Sequence, residues 1–175
     1  MSENHATLDA MQDDRTGDAR FGKYLTFHMC DENYGIDILK VVEIIAMLDI
    51  TDIPRLPGFI RGVINLRGKI IPVIDLRSLF RLPAIEYHER TCIIIVQIPR
   101  KEQLVTAGII VDEVSEVVDF EADHIEDTPA FGASVDTQFL LGMGKYMDKV
   151  YLLLDVDKAL ESDELGVVES LSQSF

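Results

Sequence analysis

The sequence predicts an all-β protein built as two pseudo-repeated, five-stranded small β-barrels with short helices, and three observations carry that prediction. Apolar residues come in short β-branched runs separated by Gly, Pro, Asn and Asp. The chain repeats itself once along its length. Strands this short avoid exposed edges best by curling into barrels. With 175 residues, 47% hydrophobic and 27% charged, the chain suffices for one globular domain or two small fused ones.

Taken in order, Met1 to Arg20 is polar, acidic and without periodicity, which predicts a disordered leader. Tyr24 to Met29 alternates as a strand, Asp31-Glu32-Asn33 turns, and Tyr34 to Ile38 returns as its hairpin partner. Ile38, Val41, Val42 and Ile45 then fall at i, i+3, i+4 and i+7. That spacing predicts one face of a short helix, with Lys40 and Glu43 outward. Ile50 to Arg55 reads as a short strand and Leu56-Pro57-Gly58-Phe59 as a turn. Val63 to Leu66 and Ile70 to Leu76 flank a tight Arg-Gly-Lys corner, where Gly68 can take the positive φ of a hairpin turn. Pro72 cannot donate to a ladder and is expected at an edge or bulge. Arg77 to Phe80 closes this half as a helical turn.

The repeat follows. Tyr34 to Ile45 lies over Ala107 to Val118, with Gly, Ile, Val and Glu coinciding at 35/108, 36/109, 41/114 and 43/116. Pro57-Gly58-Phe59 is echoed by Pro129-Ala130-Phe131, and Gly62, Lys69 and Asp75 by Gly142, Lys149 and Asp155. The modules are expected at about 21–80 and 91–160 of a 21–160 domain, followed by a polar tail over 161–175. Between the copies, Cys92 to Val96 lacks alternation, which predicts burial on both faces at a barrel-barrel seam. The copies differ at Asn65-Leu66-Arg67-Gly68, whose counterpart is Lys145-Tyr146-Met147-Asp148. The barrel does not itself require the first of these corners.

Charge narrows the function classes. A net charge of −15 repels phosphate backbones and argues against nucleic acid as a partner. The balance is uneven: 4 Lys/Arg against 11 Asp/Glu up to Pro54, 9 against 3 from Arg55 to Lys101, and 3 against 17 beyond. The basic central third either favours an acidic protein partner or pairs with the acidic flanks of its own chain. The longest apolar run is too short to span a bilayer, and the start lacks the order of a signal peptide, so a cytoplasmic protein without direct membrane insertion is expected. Cys30 and Cys92 read as reduced packing thiols.

No catalytic constellation emerges. His5, His28, His88 and His124 lack ligand spacing, so no metal is expected. Asp37, Asp75 and Asp155 stand where turn or cap roles are usual. Gly58, Gly62 and Gly68 form no nucleotide fingerprint, and no cofactor is implied. Asn65 and Arg67 can either bond backbone groups of their own hairpin or make an outside contact. For Glu43, simple solvation is the default.

One ordered string remains: Tyr34-Gly35-Ile36-Asp37-Ile38, Val41-x-Glu43-Ile44, then Pro57-x-Phe59-Ile60-x-Gly62-Val63-x-Asn65-Leu66-Arg67-Gly68-x-Ile70-x-Pro72-Val73-Ile74-Asp75-Leu76. It resembles the CheW family of bacterial chemotaxis coupling proteins over about 21–160. The resemblance implies two intertwined SH3-like barrels, no enzyme activity and no cofactor. It implies a scaffold that joins the cytoplasmic hairpin of methyl-accepting chemotaxis receptors to the regulatory domain of a CheA-type histidine kinase. By this resemblance Val41, Glu43, Ile44, Asn65, Arg67 and Cys92 are receptor-binding, and Gly62 and Gly68 support kinase packing. An aliphatic residue is the family's expected occupant where Cys92 stands. A double-barrel adaptor for linear peptides outside chemotaxis is the alternative.

Overall fold

In the computed structural model, residues 20–55, 59–100, 102–128 and 137–160 are described, and their backbone hydrogen bonds sort the strands into two sheets. The strands are β1 (Gly22–Met29), β2 (Glu32–Asp37), β3 (Val41–Ala46), β4 (Ile60–Leu66), β5 (Lys69–Asp75), β6 (Cys92–Arg100), β7 (Gln103–Val111), β8 (Glu113–Phe120), β9 (Ile125–Glu126), β10 (Leu140–Tyr146) and β11 (Lys149–Leu154). One sheet runs β3-β6-β7-β5-β4 and the other β8-β1-β2-β11-β10-β9, the sixth strand being the two-residue β9. Two short helices, α1 (Leu76–Leu79) and α2 (Val156–Ala159), follow the last strand of each repeat.

The sheets do not coincide with the sequence modules. β6 and β7 of the second module sit between β3 and β5 of the first, whereas β1 and β2 join β8 to β11. The exchange is fixed by two parallel pairings, β5 with β7 and β11 with β2. Each SH3-like barrel therefore draws strands from both of the expected segments, 21–80 and 91–160.

Strand exchange leaves three apolar cores. Ile64, Ile71, Val73, Ile93, Ile95 and Ile110 fill the first barrel. Tyr24, Val118, Phe120, Ile125, Tyr151 and Leu153 fill the second, where Phe120 meets Tyr24 and Tyr151 edge-on at 5.7 and 5.5 Å. Between them lies a larger seam containing Phe27, Tyr34, Ile36, Phe80, Ile94, Val96 and Ile98. Alternate residues of β6 thus enter two different cores, which explains why its sequence does not alternate.

Asp37, Asp75 and Asp155 all cap. Their carboxylates accept from the N–H groups of Leu39, Arg77 and Lys158 at 3.0, 3.0 and 3.1 Å. Phe59 and Phe139 carbonyls accept from the N–H groups of Asp75 and Asp155, so Phe139 is the structural counterpart of Phe59. The echo at 129–131 lies outside the described residues, as do 56–58 of the expected turn, the leader up to residue 19 and the tail 161–175.

Several expectations are corrected. The helix over Ile38 to Ile45 is a single 3-10 turn, Ile38–Lys40, followed by β3. Val41, Val42, Ile44 and Ile45 are β-branched, and extended pairing with β6 suits their stiff χ1 better than a helix. Ile50 to Arg55 contributes only the Thr51–Val63 bridge. Pro72 lies on an interior strand, but ahead of the β5–β7 ladder, which starts at Val73. Cys30 is an exposed turn residue with φ +54°, not a packing thiol.

Gly62 and Gly142 recur for one reason. Each sits at a bulge, and a Cβ would lie 2.2 Å from the Thr51 carbonyl oxygen at Gly62 and 2.7 Å from that of Glu126 at Gly142. Gly68 (φ +87°) has no atom within 4 Å of such a Cβ. Urea unfolding is accordingly expected to show Gly62→Ala costing about 2 kcal/mol or more, and Gly68→Ala only ~1 kcal/mol from its left-handed backbone.

A polar tie spans the seam. Arg77 Nη2 and Nε donate to Asp112 at 2.6 and 2.9 Å, and Cys30 N–H donates to the same carboxylate at 3.2 Å. Side-chain exposures of 10% and 16% make this pair dependent on both members. Arg77→Ala strands the Asp112 charge and is expected to cost about 3–5 kcal/mol in urea unfolding. The joint change Arg77→Met with Asp112→Leu is expected to cost less, because no charge is left buried.

Candidate protein-binding corner

The edges of the first barrel's sheet, β3 and β4, meet through side chains at one corner. Leu66 pairs with Lys69 across a two-residue turn in which Arg67 (φ +53°) and Gly68 (φ +87°) are both left-handed, the geometry of a type I′ turn. Asn65 Oδ1 accepts from Gly68 N–H at 2.8 Å and pins the turn. From there Arg67 reaches β3, its Nη1 and Nη2 donating to Glu43 Oε1 and Oε2, both at 2.7 Å. The fork fixes orientation as well as contact. It holds the Glu43 carboxyl below the ordinary range and raises the guanidinium above its own. Arg67 is 71% exposed and Glu43 26%, so the pair forms a wall of the corner facing solvent.

Beside this wall lies an apolar row. Along β3, residues 41, 43 and 45 are half-buried while 42, 44 and 46 are exposed. Leu39 is 88%, Val42 51% and Ile44 45% exposed. Val41 packs partly into the seam, and Cys92, opposite Ala46 on β6, does the same. Burial pushes the Cys92 thiol up, which keeps it neutral and apolar in character.

Among the expected site residues, the structure brings Glu43, Asn65, Arg67 and Gly68 into one hydrogen-bonded corner, with Val41, Ile44 and Cys92 on the adjoining strands. Gly62 lies apart, at the bulge facing Ile50 and Thr51, where close packing accounts for it. Sequence reasoning missed Leu39 and Val42. The signal was present as apolar residues flanking Lys40, but a helical reading turned Val42 inward.

Four of the nine cations of the basic third pair with acids of their own chain. Arg67 pairs with Glu43, Arg77 with Asp112, Arg61 with Asp52 (4.0 Å) and Arg90 with Glu113 (3.2 Å), every acid coming from a flanking third. Arg61 Nε also donates to the Tyr87 hydroxyl at 3.1 Å.

The second barrel carries the equivalent corner with different chemistry. Its turn residues Met147 and Asp148 have φ +48° and +63°. His124, Lys145, Tyr146, Met147, Asp148 and Val150 line an open depression of about 510 Å³ there. Lys145 pairs with Glu126, on the adjacent edge strand β9, at 2.7 Å. Glu121, Asp123 and His124 approach one another within 4.8 Å nearby, all exposed.

These features agree with comparisons to known proteins. Residues 23–164 match the family model of the CheW-like domain. The chain is 38% identical over 152 residues to a chemotaxis protein CheW of Klebsiella aerogenes, covering 87% of this chain and 89% of that one. A CheW of Helicobacter pylori is 30% identical over 141 residues, covering 81% and 82%. The crystal structure of the scaffolding protein TtCheW from Thermoanaerobacter tengcongensis superposes with a TM-score of 0.73 at 38% identity, covering 82% of this chain and 90% of that one. The chain belongs to the CheW family, the coupling scaffolds of bacterial chemotaxis.

Proposed function

We propose that this protein bridges the cytoplasmic hairpin of methyl-accepting chemotaxis receptors to the regulatory domain of a CheA-type histidine kinase, without catalysis of its own. Receptor contact falls on Val41, Glu43, Ile44, Asn65, Arg67 and Cys92, extended by Val42 and Leu39. The kinase packs against the β4–β5 hairpin, with Gly62 and Gly68 holding its shape. It acts in the cytoplasm, recruited to membrane-associated receptor arrays; among the described residues no helix is long and apolar enough to cross a membrane.

The observation that carries this reading is the exposed row of β3 beside the Arg67–Glu43 pair. A receptor hairpin is a bundle of amphipathic helices, and an apolar strip bounded by a fixed charge pair can seat one of its faces. Apolar side chains at the centre supply affinity, and the charged wall supplies register. The corner is rigid because a pinned turn and a barrel edge build it. Coupling then follows from binding geometry alone.

Calorimetric titration tests both contacts. The parent is expected to bind a receptor cytoplasmic fragment and a kinase regulatory domain simultaneously. Ile44→Asp is expected to weaken the receptor contact roughly a hundredfold and leave the kinase contact intact. Failure of the parent to bind either partner, or equal loss of both contacts in Ile44→Asp, overturns the assignment.

Arg67→Ala is expected to keep the melting temperature within about 3 °C, since its side chain faces solvent, and to weaken receptor binding roughly tenfold. In the same variant the Glu43 carboxyl returns upward to the ordinary carboxylate range, readable by NMR titration. The sign follows from the depressed native value. The pair's stabilisation is present above the unfolded carboxyl's pKa and is lost as pH falls through the lower folded one.

A further inference from the structure

Along the described strands the chain passes from one sheet to the other at two places. Asp112 alone links β7 to β8, and the turn Ile38–Lys40 links β2 to β3. An ion pair stands at each crossover and reaches one of the two short helices. Arg77 and Asp157 occupy equivalent positions there, two residues after the capping Asp75 and Asp155. Arg77 meets Asp112 at the first crossover, and Asp157 meets Lys40 at the second.

The two joints are unequal. Arg77 holds Asp112 through both Nε and Nη2 in a nearly buried fork. Lys40 Nζ makes one bond of 3.2 Å to Asp157 Oδ2, with side-chain exposures of 29% and 38%. Asp157 Oδ1 is buried without a hydrogen-bond partner among the described residues. A single ammonium contact that leaves one carboxylate oxygen unanswered constrains less than a planar fork. The Arg77 joint therefore fixes how the barrels sit together, and the Lys40 joint governs what is local to it.

Local to it is the start of the exposed row. Ile38 and Val41 pack partly into the seam, and Asp37 caps the Leu39 N–H, but the Leu39 side chain between them is exposed. Its direction, and that of Val42 and Ile44 beyond it, follows from how the turn is held. Lys40 ties that turn to α2, whose Val156 and Ala159 are buried in the seam.

We propose that Asp157, acting through Lys40, is a positioning residue for the receptor contact: it holds the crossover turn so that Leu39, Val42 and Ile44 present one continuous row. The effect on affinity rests on the function proposed above; the orientation of the turn does not. Neither side chain needs to touch the receptor. A turn that, once untied, holds the row in its binding orientation about one-fifth of the time lowers apparent affinity about fivefold.

Asp157→Ala, Lys40→Met and the double variant test this in the full chain. Each is expected to melt within about 3 °C of the parent, since both side chains are partly solvated. In the free proteins, amide residual dipolar couplings from Leu39 to Ile44 are expected to depart from the parent's alike in all three variants, while those of β10 and β11 stay. Unchanged couplings overturn the proposal. Calorimetric titration with a purified receptor cytoplasmic fragment is expected to show about fivefold weaker binding in each single variant and no further loss in the double. Binding of the kinase regulatory domain is expected to stay at the parent's level. Losses that multiply in the double variant identify two independent receptor contacts and overturn the positioning role. A melting temperature lowered by about 10 °C or more makes the pair merely structural and overturns it too. Lys40→Arg, whose fork offers a second donor to Oδ1, is expected to keep the parent's affinity; a loss equal to that of Lys40→Met counts against the tie. If the parent itself binds no fragment, the receptor reading fails, and the couplings still decide whether the pair orients the turn.

Discussion

Burial of β6 on both faces is the constraint on which the rest of this structure depends. Ile93 and Ile95 complete the interior of one barrel, while Ile94, Val96 and Ile98 complete the seam to the other. Neither barrel can be assembled without fixing part of its neighbour. A stack of aromatic rings continues the seam. Phe27 and Tyr34 lie 5.5 Å apart at 12°, Phe80 follows at 5.8 Å, and Phe139 at 6.3 Å. Burial raises the Tyr34 phenol far above its usual range, and Glu32, which accepts its proton bond at 3.0 Å, adds to that shift. The ring therefore stays a neutral donor at all ordinary pH.

From this rigid seam the corner inherits its geometry. β3 is held along one side by β6, and its other side is left to Arg67, whose fork closes the barrel where backbone pairing does not. Charged side chains on this edge also disfavour the addition of another strand. What remains exposed is a short apolar row, Leu39, Val42 and Ile44. Scaffold function needs no more than a surface of defined shape held at a fixed angle to a second surface.

Much of this was legible in the sequence, and the rest was hidden for physical reasons. The Arg67-Gly68 turn, the capping aspartates and the double burial of Cys92 to Val96 are local features that residue type and periodicity report directly. The recurrence of Gly62 at Gly142 reflects a backbone crossing that only glycine permits, so the repeat exposed it. β3 was misread because apolar residues on both sides of a half-buried edge strand mimic helical spacing. Strand exchange was invisible to local reading because both parallel pairings join distant segments. Intertwined barrels are implied by the family resemblance alone, and by no local pattern. The Glu43–Arg67 bond is equally non-local: the sequence suggests solvation for Glu43 and a hairpin backbone bond or outside contact for Arg67, and the structure pairs the two with each other.

The most direct test of the central claim is NMR mapping of a receptor cytoplasmic fragment on the isotope-labelled full chain. The account predicts shifts concentrated at Leu39 to Ala46, Asn65 to Gly68 and Cys92, with the seam residues Tyr34 and Phe80 unmoved. Shifts centred instead on Tyr146 to Val150 of the other barrel, or spread through the seam, would contradict it.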